Sequence, residues 1–121
     1  MTISTKSRIE DAKIASLEKS LRAAEQVRTE AEFRLMRSET VVRRALVEKA
    51  AAQLREVDAQ QDVIKRLRAA ADRRNAERAV ERAEAPFEEA RQQVETADET
   101  IHSILEQLVA AREQQADLAV K

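Results

Sequence analysis

The sequence predicts an all-α protein, an elongated antiparallel coiled-coil helical hairpin, and three observations predict it. The composition is that of a long helix: 121 residues with no Gly, Cys, Trp or Tyr, one Pro, and 37% charged residues, dominated by side chains that lose little freedom on entering a helix. Two stretches carry apolar residues at alternating steps of three and four, the spacing that keeps one stripe turned towards a partner helix. In both stretches one stripe position is large and the other small. A parallel pair would stack large on large and small on small, whereas an antiparallel pair layers each large residue against a small one and fills its core evenly.

The helical pattern begins at Ser7, which with Glu10 reads as a capping box, each side chain satisfying a backbone N–H that the helix start leaves orphaned. The first ladder has Ile14, Leu21, Arg28, Leu35 and Val42 at the heptad a positions and Leu17, Ala24, Ala31, Ser38 and Ala45 at d. After Ala45 the pattern of bulk slips by one residue and continues as Leu46, Ala50, Gln53, Val57, Gln60, Ile64, Leu67 and Ala71, a phase change that alters winding without ending a helix. The first arm therefore spans about 7–71.

The turn is expected at about 72–76. Nine residues separate neighbouring a positions there instead of seven, and the chain's only Asn, Asn75, is a side chain that tolerates turn conformations. The second arm runs over about 76–120, with a helix start or a kink near Pro86. Its ladder is Val80, Ala83, Phe87, Ala90, Val94, Ala97, Ile101, Ile104, Leu108, Ala111, Gln115 and Leu118. The rival architecture is one nearly continuous helix of roughly 170 Å in a parallel dimeric coiled coil.

The hydrophobic fraction of 43% includes 23 Ala, and aromatics are 2%. That is too little bulk for a compact globular core and enough for a two-helix seam. Charges flanking the seam favour folding one ladder onto the other. Glu18, Glu25, Glu32 and Glu39 repeat at e on the first, while Arg91 and Arg112 stand at e on the last beside an unfavourable Asp98. Arg28 and Gln115, polar residues inside apolar ladders, read as register markers. The pairs Glu18/Arg22, Glu30/Arg34, Glu39/Arg43 and Asp62/Arg66 have helix-supporting order.

Nothing in the sequence assembles a catalytic apparatus, so the protein is expected not to be an enzyme. Without Gly there is no phosphate-cradling loop. With one His and no Cys there is no structural zinc site and no base for a nucleophile triad. Glu99 and His102 match half of a di-iron motif that needs a second such pair, and both fall on the outward side of the last ladder. No metal, cofactor or small-molecule ligand is expected. No apolar run approaches the ~20 residues of a membrane span. Met1-Thr2-Ile3-Ser4-Thr5 lacks the charged-then-apolar order of a signal peptide, and the lack of Cys suits a cytoplasmic location.

Net charge is −1, but residues 65–82 concentrate Lys65, Arg66, Arg68, Arg73, Arg74, Arg78 and Arg82 against three acids. This basic stretch is the candidate partner-binding patch, for a protein surface or for nucleic acid. A basic-region leucine zipper fits it badly, because Glu77 and Glu81 interrupt it and Pro86 follows. The expected function is a non-catalytic structural or adaptor coiled coil binding other proteins, a further copy of itself among them, through helix faces or the hairpin tip. In size, charge and two-arm layout the chain is similar to the small helical-hairpin stalk proteins of flagellar and type III secretion export machines, and that resemblance implies engagement of an export ATPase and chaperones.

Overall fold

The computed structural model describes the backbone of residues 2–120 and the side chains of residues 5–120. It is all-α: helix α1 (Thr2–Asp58) and helix α2 (Val63–Val120) pack against each other as a helical hairpin. The single continuous helix of the rival architecture is broken after Asp58.

The turn is not at 72–76. It occupies Ala59–Asp62, and the stretch around Asn75 lies inside α2. Four residues suffice because Ala59 N–H still donates to the Arg55 carbonyl (3.0 Å), Gln60 N–H reaches back three residues to Val57 (3.4 Å) and Asp62 N–H to Ala59 (3.2 Å). No described residue has a positive φ, so a chain without Gly can make this turn. Asp62 then caps α2: its Oδ1 accepts from the N–H groups of Ile64 (3.0 Å) and Lys65 (3.2 Å), two donors that a helix start would otherwise orphan. The capping box at Ser7 and Glu10 is not made. Ser7 lies within α1, and Oε2 of Glu10 is sheltered without a hydrogen-bond partner.

Two compact units divide the residues. In the first, Met1–Ala31 with Gln93–Lys121, the positions Ile14, Leu17, Leu21, Ala24, Arg28 and Ala31 of α1 and Val94, Ala97, Ile101, Ile104, Leu108, Ala111, Gln115 and Leu118 of α2 are all buried or half-buried. In the second, Glu32–Gln92, the same heptad phase runs on without the slip expected after Ala45. Leu35, Ser38, Val42, Ala45, Lys49, Ala52 and Glu56 of α1 and Ala59 of the turn are shielded, as are Ala69, Arg73, Ala76, Val80, Ala83, Phe87 and Ala90 of α2. The gap expected before Val80 is likewise filled in step.

The bulky residues that suggested the slip, Leu46, Val57, Ile64 and Leu67, are exposed, and so are Ala50, Gln53 and Gln60. Of the ten buried apolar residues, eight are Ala, Val80 and Leu108 being the others. Small side chains let two helices approach closely, and a large a residue in a two-helix pair keeps one edge in water. Close approach also explains how Lys49 and Glu56 occupy seam positions: Ala45, Ala52 and Ala59 carry the contact there. Pro86 is neither a helix start nor a break. It sits exposed at a flanking position within α2, where the missing N–H costs about 3 kcal/mol and buried Ala83 and Ala90 on either side hold the helix.

Candidate functional site

At the tip, Asp62 starts α2 so that Val63, Ile64 and Leu67 stand on its first two turns, all exposed. Spacings of three and four residues bring Leu67 beside both Val63 and Ile64 on one side of the helix. Val57, near the end of α1, is exposed as well. β-branched residues are indifferent helix formers, so neither helix propensity nor the buried seam explains two of them at this start. Sequence reasoning placed Ile64 and Leu67 in the core because it followed bulk. The signal it passed over was Asp62, an N-cap residue immediately before an apolar run.

The basic stretch does not gather at the turn. Lys65 and Arg66 lie in the first turns of α2, and Arg68, Arg74, Arg78 and Arg82 follow along it, the last three spaced by four residues on one side of the helix; all of these are exposed. Arg73 is different. It takes an a position, and its guanidinium bonds Glu56 of α1 through Nε and Glu77 of its own helix through Nη1 at 2.9 Å. The hydrogen bonds to Glu77 and Glu56 raise its pKa further, so the cation is permanent and committed to the fold. The Arg82 Nε donates to the Arg78 carbonyl (3.4 Å).

The polar seam residues of the first unit also cross between helices. Arg28 bonds Asp98 through Nε, and Gln115 donates to Asp11. Each a-position polar group thus reaches an acidic residue at a flanking e position of the opposite helix, and Asp98, unfavourable on a count of flanking charges alone, has a cation. Arg112 faces Glu18 at 3.4 Å, in place of the Glu18/Arg22 pairing along one helix. Arg91 is 3.6 Å from Glu88, and Glu39 holds Arg43 within α1. These pairs are solvated and contribute at most about 1 kcal/mol each. The three contacts that cross between the helices, Arg28–Asp98, Gln115–Asp11 and Arg112–Glu18, favour the antiparallel sense and register more than strength.

Glu99 is exposed and His102 contacts Glu106 at 3.0 Å on the solvent side. Among the described residues no group of three His, Cys, Asp or Glu is placed to hold a metal ion, and no helix is long and apolar enough to cross a membrane. Among the described residues a shallow groove runs along Lys6, Ile9, Gln114 and Leu118 in the first unit, and another along Ser38, Val41, Arg82 and Pro86 in the second.

Comparison with protein-family models, with curated proteins and with solved structures found no match.

Proposed function

We propose that the protein is a non-catalytic coiled-coil adaptor that binds other proteins through its exposed helix faces and the hairpin tip. The observation that carries this reading is the apolar tip: Val57, Val63, Ile64 and Leu67 are exposed in a chain whose buried seam is built mostly from Ala. Large side chains left in water while small ones fill the core mark a contact surface. The finer version is a hairpin stalk or chaperone-escort component of a secretion export apparatus, working in the cytoplasm; it rests on size, charge and layout. Nucleic-acid binding through residues 65–82 is the weaker reading, because Arg73 is held by Glu56 and Glu77, and Glu77 and Glu81 stand among the remaining cations.

The test is co-purification from the native cytoplasm with Ile64→Glu/Leu67→Glu beside the wild type. The proposal expects the double variant to keep its helix content and lose the proteins that the wild type retains. Equal retention by both would overturn the tip as the binding surface. Salt-dependent binding of random-sequence duplex that Arg74→Ala/Arg78→Ala abolishes would move the function to nucleic acid.

A further inference from the structure

The face of α1 turned away from α2 carries a second heptad seam within the unit Glu32–Gln92. Phe33, Met36, Thr40, Arg43, Val47, Ala50, Leu54 and Val57 follow one another at steps of three and four for 25 residues. All eight are exposed, the large apolar ones strongly so: Phe33 60%, Met36 62%, Val47 67% and Leu54 67%. A stripe of period 3.5 fits one kind of occupant, another helix lying lengthwise. α2 already fills the inner seam.

Charges beside this outer seam say which helix. We infer that it is the same seam of a second copy of this chain, running parallel. Residues that flank the first seam position include Glu32 and Glu39, and residues that flank the second include Arg37 and Arg44. In a parallel pair the former flank on one helix faces the latter flank five residues further along the other. Glu32 then meets Arg37 of the second copy and Glu39 meets its Arg44, twice over by the two-fold symmetry. An antiparallel pair would set Glu against Glu and Arg against Arg. Below these charges the flank turns apolar with Leu46, so the orienting charges and the apolar contact occupy successive lengths of one seam.

The two polar members fit as well. Thr40 Oγ1 donates to the Met36 carbonyl at 3.0 Å, so its methyl can be covered without orphaning the hydroxyl. Arg43 is drawn aside by Glu39 of its own helix and presents its alkyl stem. One such polar layer lowers affinity and pins register. The inference deepens the adaptor reading and rests on it only for the premise that exposed helix faces bind protein.

The experiment is light scattering of the full chain across a concentration series, with cross-linking for orientation. The wild type should rise from 13.7 kDa towards twice that mass. Val47→Glu/Leu54→Glu should keep its helix content and weaken the dimer at least tenfold. Glu39→Arg should weaken it severalfold, and adding Arg44→Glu should restore it. Thr40→Cys and Val47→Cys, each alone in a chain without native Cys, should both form disulfide-linked dimers under oxidised glutathione. An antiparallel pair has one central layer at which a residue meets its own copy, so cross-linking at one position and not the other overturns the parallel sense. A mass of 13.7 kDa at every concentration overturns the inference altogether. Tip capture lost on Ile64→Glu/Leu67→Glu would then still stand, so the two readings fail separately. Should the Glu variant lose helix, the two single-Cys chains decide alone.

Discussion

Leu108 and Leu105 lie three residues apart on α2, yet Leu108 is 2% exposed and Leu105 44%. If burial in one heptad register holds the helices together, truncating each to Ala should cost very different amounts. Leu108→Ala removes roughly three methylene equivalents from a buried site at ~0.8 kcal/mol each, and the incompletely collapsed cavity adds to this, giving about 2.5–4 kcal/mol. Leu105→Ala removes the same atoms from a half-wet site with no cavity, giving about 1 kcal/mol or less. Helix propensity favours Ala slightly at both sites and cancels in the comparison. With ~4 °C per kcal/mol for a chain of this length, melting followed by far-ultraviolet circular dichroism should fall by about 10 °C or more for the first variant and a few degrees for the second. Equal shifts, or a larger loss at Leu105, would refute the register.

Other substitutions probe single elements in the same assay. Asp62→Ala removes the α2 cap and should cost about 1 kcal/mol, whereas Asp58→Ala, on the α1 side of the turn, should cost much less. Pro86→Ala restores an N–H inside α2 and should stabilise by up to ~3 kcal/mol; no gain would mean that the helix does not run through this point. Ala31→Leu overpacks a buried small position and should destabilise by about 1–3 kcal/mol, while Ala50→Leu, on the exposed face, should be neutral or slightly stabilising. Arg73→Ala leaves Glu56 and Glu77 without their cation and should destabilise more than Arg74→Ala, which has an exposed side chain; the reverse order would contradict the assignment of Arg73 to the seam.

The hairpin class was legible because its cause is periodic. Ile14 to Ala45 and Val80 to Leu118 state the seam by large residues at regular steps, and the antiparallel sense followed from large a and small d. The middle was not legible, for a physical reason. Between Ala45 and Val80 the buried seam is written in Ala, Lys, Glu and Arg, while the outer face is written in Val, Ile and Leu. A reading that equates bulk with burial jumps from one stripe to the other, and the jump from Ala45 to Leu46 looks like a phase slip. Asking whether the original phase could be kept with small residues would have found Ala52, Ala59, Ala69 and Ala76. The turn was misplaced by the same preference for a conspicuous residue: Asn75 suggested a turn, but the turn at Ala59–Asp62 uses no Asn and no positive φ. The basic stretch lies along α2 beyond the turn, with Arg74, Arg78 and Arg82 on one side of the helix and Arg73 on another. A helix distributes neighbouring residues by about 100° each, and Arg73 was drawn into the seam by Glu56, whose place there depended on the unbroken phase.

That phase is the central claim, and cysteine pairing tests it most directly, since the chain has no Cys of its own. Glu18 and Arg112 face each other across the helices at 3.4 Å. The chain with Glu18→Cys and Arg112→Cys should close an intrachain link rapidly in dilute solution with a short bismaleimide, whereas Glu18→Cys with Leu105→Cys, one heptad away, should not. Preferential closure of the 18/105 pair, or no closure of the 18/112 pair in a chain that is fully helical, would contradict the register on which the hairpin, its turn and its outer seam all depend.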